Sequence, residues 1–135
     1  MKFIEKKVVT CFLKNNEKIL LVKRSEKVGT YKGKWSGISG YLEEENIDNQ
    51  ALKEIKEETS LNENDIELIR KGESLEVLDE TKGIKWIVYP YLFEVKHPEK
   101  IRLDWENIEM KWVSPKEISF YSTVPKLKEA LEKVL

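Results

Sequence analysis

One cysteine, one histidine, four prolines and six glycines are spread thinly over a chain of 135 residues. A lone thiol excludes a disulfide framework. Cys11, inside the apolar run Val8-Val9-Thr10-Cys11-Phe12-Leu13, reads as a core residue of a protein kept in a reducing compartment. The lone His97 precedes Pro98 in a polar connection and is a poor candidate base, so a Ser/His/Asp or Cys/His mechanism has almost nothing to work with. No Cys/His spacing suits zinc. Neither sign of charge prevails: 24 Lys and Arg face 25 Asp and Glu, for a net charge of -1, so no bulk attraction to nucleic acid is expected. No apolar run approaches the ~18 residues needed to span a bilayer. Met1 to Leu13 scatters Lys2, Lys6 and Lys7 among apolar residues and lacks a small-residue cleavage site, so no signal peptide is expected and the protein should be soluble and cytoplasmic. With 40% hydrophobic residues, the chain is expected to fold as one domain over residues 1–135 with a proper core.

What is present is an alternation of strand and helix patterns. Val8 to Leu13 and Lys18 to Lys23 read as strands joined by the turn Asn15-Asn16-Glu17. A short segment near Trp35 to Ile38, punctuated by glycine, precedes a helix capped by Asp48 or Asn46, whose Ala51, Leu52, Ile55 and Thr59 form an apolar stripe. Ile66 to Val77 and Ile84 to Val95 look extended. The second is apolar on both parities, which implies layers above and below the sheet. Ile108, Met110 and Trp112 alternate as a further strand. Ser114-Pro115-Lys116-Glu117 is a capping box with proline at the first helical position. Val124, Leu127, Leu131 and Val134 mark an amphipathic C-terminal helix. The sum is an α/β protein, a three-layer α/β/α sandwich around a mixed sheet.

The chemistry concentrates between Gly40 and Leu61. Glu54, Glu57 and Glu58, at i, i+3 and i+4, stack three carboxylates on one helical face. Like charges so placed repel by a few tenths of a kcal/mol per pair. A cluster kept beside the turn Trp35-Ser36-Gly37-Ile38-Ser39-Gly40 and the acidic run Glu43-Glu44-Glu45 points to a neutralising cation. Hard oxygen donors call for Mg²⁺, or Mn²⁺ as a substitute, and Mg²⁺ most often works on phosphates. With 36% charged residues in the chain, the bland alternative is a solvated helix face.

Lys53-Glu54-Ile55-Lys56-Glu57-Glu58-Thr59-Ser60-Leu61 resembles the second half of the Nudix (MutT-like) hydrolase signature, with Lys53 where the family usually has Arg and Ser60 where it has Gly. Gly40-Tyr41-Leu42-Glu43 is similar to its Gly-x-x-Glu opening. The interval to Glu54 is one residue short. Counting back from the helix puts Glu45 at the family's first glutamate, whereas counting forward from Gly40 puts Asn46 there; a one-residue deletion reconciles them in favour of Glu45. Ile19-Leu20-Leu21-Val22-Lys23-Arg24, Lys34-Trp35, Trp105-Glu106, Lys111-Trp112-Val113 and Thr123-Val124-Pro125 extend the resemblance over nearly the whole chain.

The resemblance implies hydrolysis of a nucleoside diphosphate linked to another moiety, by water attacking phosphorus. It implies divalent ions held by Glu54, Glu57, Glu58 and Glu45 with the Gly40 carbonyl. Lys53 would orient a carboxylate of the box, Glu57 lying at i+4 from it. Glu54 is the first choice of general base, with Glu45, Glu80 and Glu106 as alternatives. Arg24 sits where the family frequently places a phosphate-binding Arg. Lys34, with Lys23 and Lys32, would add positive potential, and Tyr31, Trp35, Trp86 and Tyr89 are candidates to stack on a base, though Trp86 also reads as core. A small-molecule nucleotide is the expected partner, and a homodimer is compatible with a small domain. The competing expectation, carried by Lys53, Ser60 and the shortened loop, is a nucleotide-binding or interaction module without turnover. RNA cap removal ranks below both, for want of a basic surface.

Overall fold

β1 (Ile4–Asn15) and β2 (Lys18–Arg24) form an antiparallel hairpin closed by Asn16 and Glu17 at φ 48° and 63°, the two left-handed positions of a tight hairpin turn. The computed structural model describes residues 2–135. Only the pairs Lys14–Ile19 and Asn15–Lys18 hold β1 directly to β2. Beyond them the two strands splay, and β3 (Trp35–Ser36) and β4 (Ile38–Tyr41) fill the gap, β3 pairing with β2 and β4 with β1. That wedge lays Gly40 beside Val9 in the middle of the sheet. On its other edge β1 runs parallel to β7 (Ile84–Val95), from Ile4–Ile84 to Lys14–Glu94, so the sheet is mixed.

β7 then pairs antiparallel with β5 (Ile66–Lys71) and β6 (Leu75–Asp79). The extended run expected over 66–77 is thus two strands. It breaks at Gly72, where a Cβ would come within 2.9 Å of the Lys133 carbonyl and the Val134 side chain. β8 (Asn107–Val113) pairs with the free edge of β2.

Alternation sorts the strand residues into two layers, as the double-parity pattern of β7 implies. Val9, Cys11, Leu13, Leu20, Val22, Tyr91, Phe93 and Val95 meet α1 (Ile47–Thr59) through Ala51 and Ile55. Phe12, Ile19, Leu21, Leu92 and Val113 meet α2 (Leu127–Glu132) through Leu127, Ala130 and Leu131. The α/β/α sandwich is therefore present, with α2 only six residues long. The capping box opens a 3₁₀ turn, Pro115–Phe120, in which Glu117 accepts from the Ser114 N–H at 2.9 Å. Asn46, not Asp48, caps α1 by accepting from the Asn49 N–H. Asp48 is occupied instead by the Tyr91 hydroxyl and by Lys71 at 3.2 Å. α1 ends at Ser60, which takes the left-handed φ of 68° where a helix usually places glycine.

Candidate active site

α1 presents its residues to the sheet in a stripe broader than the apolar pattern alone: Gln50, Ala51, Glu54, Ile55, Glu58 and Thr59 are all buried. Two of the three glutamates therefore lie under the helix rather than on its outer face, and only Glu57 is exposed. Glu54 lies directly on the backbone of β4. A Cβ at Gly40 would sit 2.1–2.4 Å from the carboxyl carbon and both oxygens of Glu54, so only a glycine leaves room for it. Glu58, 2% exposed, accepts from Asn107 Nδ2 at 2.9 Å through Oε1, while its Oε2 is buried with no hydrogen-bond partner. An orphaned buried carboxylate oxygen is costly unless a cation or proton meets it.

The electrostatics agree. Burial pushes the Glu58 carboxyl well above the usual carboxylate range, and the charge of Glu106 adds to it. Burial likewise raises Glu54, with Glu57 and Glu43 adding to the shift. Glu106 is pushed up to about 7, by burial first and then by Asp104 and Glu54. Three carboxyls held back from ionising in one place mark a spot where positive charge is wanted.

Glu54 and Glu106 border a cavity of about 490 Å³, and Glu58 lies buried behind its lining. Its acidic end is lined by Gly40, Glu43, Lys53, Glu54, Glu57 and Glu106, with Arg24 beside them. Its other end is apolar and aromatic, built by Val8, Val77, Val88, Tyr31, Tyr41 and Trp86. Trp86 is both core and wall: its Nε1 donates to the Tyr31 hydroxyl at 2.9 Å, which donates to Asp79 at 2.5 Å. Burial, and then the hydrogen bond to Asp79, push Tyr31 up to about 12 against the opposing Trp86 donor, fixing it as a neutral phenol. Tyr41 lies 6.1 Å from Trp86 at 31°, with Lys6 Nζ over both rings.

Several residues expected at the site are placed elsewhere. Glu45 is exposed and outside the cavity lining. Glu43 lines it instead, its carboxylate 3.6 Å from Lys53 Nζ. Lys53 thus turns to Glu43 and not to Glu57. Lys34 donates to Ser122 at 2.7 Å and Trp35 packs edge-on against Tyr121, both drawn off by the chain segment before α2. Lys23, Lys32, Tyr89 and Glu80 also lie outside the lining, whereas Arg24, Tyr31 and Trp86 are within it. Arg24 anchors the loop below it, donating through Nε to the Thr30 carbonyl at 2.9 Å. Burial lowers its pKa, and Glu58 and Glu106 oppose that shift.

Two participants were not foreseen in the sequence. Gln50 lay at i−4 from Glu54, a spacing that was there to be used. Asn107 reaches the site only through long-range pairing of β8 with β2, a partnership the sequence does not signal.

The NUDIX domain family model matches residues 5–134. The chain belongs to the NUDIX family. Membership carries the enzyme class expected from the motif, a Nudix-type pyrophosphohydrolase of acid anhydrides. Solved structures agree on the NUDIX fold. A MutT protein from Methanosarcina mazei Go1 superposes with TM-score 0.81 at 22% identity, over 99% of this chain and 95% of that one. A C. elegans Ap4A hydrolase gives 0.72 at 18% identity, over 96% and 93%. The NUDIX domain of Shewanella oneidensis NrtR, solved with ADP ribose, gives 0.69 at 16%, over 98% and 86%. Among the described residues no helix is long and apolar enough to cross a membrane.

The donor set of this NUDIX domain suits a hard divalent cation: oxygens only, one of them orphaned, and one carboxylate seated in a glycine cradle. Among the described residues no three carboxylate, imidazole or thiol groups form a ready-made cage. That is the usual situation for Mg²⁺, which takes one or two carboxylates and completes its shell with water and substrate phosphate. Glu57 is exposed and lines the same cavity.

Proposed function

We propose that this NUDIX protein hydrolyses a phosphoanhydride bond in a small nucleotide, a nucleoside diphosphate linked to another moiety, with Mg²⁺ as cofactor and Mn²⁺ as substitute. One observation carries the reading. A single cavity brings Glu54, Glu57 and Glu106 together with the aromatic side chains of Trp86, Tyr31 and Tyr41, and Glu58, one turn along α1 from Glu54, keeps a buried oxygen unpartnered behind it. The acidic end suits a cation and phosphates; the aromatic end suits a flat base.

Glu54, Glu58 and Glu57, with the Gly40 carbonyl, would hold the cation. When bound, a divalent cation neutralises phosphate charge and lowers the pKa of water. The chain's own residues do the rest. Arg24, pinned to Thr30, presents a fixed guanidinium to the acidic end and suits a phosphate oxygen. Lys53 holds Glu43 over the mouth. The proton from the attacking water goes to Glu54 or Glu106, the two carboxyls of the cavity that are held above the ordinary range, where a base is most effective near neutral pH. Loss of the acidic limb of the pH–rate profile in Glu106→Gln, with that limb kept in Glu54→Gln, would assign it to Glu106; the reverse assigns it to Glu54.

The partner is a small molecule rather than nucleic acid, and the buried reduced Cys11 fits a cytoplasmic setting. The test is a panel of nucleoside triphosphates, dinucleotide polyphosphates and nucleotide sugars incubated with Mg²⁺ and resolved by chromatography. Metal-dependent release of a mononucleotide or phosphate is expected. Binding without release across the panel would replace the enzyme by a nucleotide-binding module.

A further inference from the structure

Two buried carboxamides stand behind the two buried glutamates. Gln50, fully buried one turn before Glu54 on α1, donates Nε2 to Glu54 Oε1 at 3.0 Å. Its own Oε1 accepts the backbone N–H groups of Glu43 and Glu44, both at 2.9 Å. Asn107, 5% exposed at the start of β8, donates Nδ2 to Glu58 Oε1 at 2.9 Å. The pattern repeats: one neutral amide, one carboxylate oxygen. At Glu58 the other oxygen is left without any partner.

The chemistry of the amide matters here. A lysine in either place would neutralise the carboxylate and compete with a cation. An aliphatic side chain would fill the space and let the carboxylate rotate. A carboxamide carries no charge and cannot titrate, so it fixes orientation and favours the ionised form without supplying a counter-charge. We propose that Gln50 and Asn107 are positioning residues, each clamping one oxygen of a metal-site glutamate so that the other is turned to the cation. Gln50 does this twice over. By holding the Glu43-Glu44 backbone it moves Glu54 and the Lys53–Glu43 pair as one unit. The proposal rests on the reading of Glu54 and Glu58 as cation ligands.

The test is Mn²⁺ binding to the full chain without nucleotide, followed by electron paramagnetic resonance, alongside melting of the metal-free proteins. Partners that orient metal ligands typically change affinity by about 10- to 100-fold, and that weakening is expected for Asn107→Leu and for Gln50→Met. Both should also lower the metal-free melting temperature, Asn107→Leu because it leaves the second buried oxygen of Glu58 without a donor, and Gln50→Met through the loop as well. Asn107→Ala removes the donor without new bulk and serves if leucine does not fit. A purely structural role predicts lower melting with unchanged Mn²⁺ affinity, and that result overturns the clamp while leaving the cation site intact. Failure of the wild type itself to bind Mn²⁺ overturns both.

Discussion

Replacing Gly40 by alanine tests the centre of the site with a single methyl group. Gly40 is not among the residues at positive φ, so its backbone accepts alanine and its carbonyl is kept. The cost is steric. The new Cβ would lie 2.1 Å from the Glu54 carboxyl carbon, and ordinary contact begins at 3.4 Å, so that group must retreat by about 1.3 Å (3.4 less 2.1). Glu54 has little room to do so, being 8% exposed and held by Gln50. Misplacing a reacting group by an ångström costs about 100-fold in rate, which is about 2.7 kcal/mol of transition-state stabilisation. Overpacking adds about 1–3 kcal/mol of lost stability. Turnover with Mg²⁺ and metal-free melting would be measured together. Gly29→Ala is the control: Gly29 lines the same cavity, and a Cβ there meets nothing within 4 Å. In a Glu54→Ala background the stability cost of Gly40→Ala should vanish, because the clash has lost its partner. Full activity in Gly40→Ala would refute the seating of Glu54 on β4, or its part in the reaction.

Four further outcomes follow from the same geometry. Glu58→Gln removes a buried charge with an orphaned oxygen, so activity should fall at least about 100-fold while the metal-free melting temperature holds or rises by about 3 °C per kcal/mol gained; a clear drop in melting would contradict the electrostatic reading. Metal-free stability should decline as pH rises from about 5 to about 7. Glu54, Glu58 and Glu106 have folded values above the unfolded carboxylate, so their stabilisation is complete below the unfolded value and is lost as pH passes the folded ones; a flat melting profile, or one unmoved by Mg²⁺, would count against it. Ser60→Gly relieves a left-handed residue at the end of α1 and should add about 1 kcal/mol in denaturant melts, activity unchanged. Lys53→Arg offers Glu43 a fork in place of a point charge across 3.6 Å and should keep or raise turnover, so a tenfold or greater loss (roughly 1.4 kcal/mol) would show a pocket shaped to lysine.

Local pattern carried much of the structure. The turn at Asn16-Glu17, the Ser114–Glu117 box and the double-sided β7 each follow from a few adjacent residues, while the choice of Asn46 over Asp48 as the cap of α1 was made by packing. The acidic triplet on α1 was legible for the same reason, since i, i+3 and i+4 are neighbours on any helix. The helix's orientation was not. Periodicity set Ala51, Leu52, Ile55 and Thr59 toward the core and left the glutamates outside, whereas packing carries Glu54 and Glu58 inward and leaves Glu57 exposed. Residue spacing within the motif likewise favoured Glu45, whereas the loop's path through space puts Glu43 in the cavity lining.

By its order of residues alone, this chain determined an α/β sandwich, a NUDIX motif and three carboxylates one turn apart. Those are consequences of helical and strand periods, which repeat over a handful of residues. Which oxygen is clamped, which is orphaned, and which aromatic faces the acidic end depended on β4 lying between β1 and β2, and on β8 returning to the edge of β2. Asn107 meets Glu58 across 49 residues of sequence, and Tyr31 meets Trp86 across 55. No periodic signal spans such a gap, because contact at that separation is decided by how whole layers close on one another.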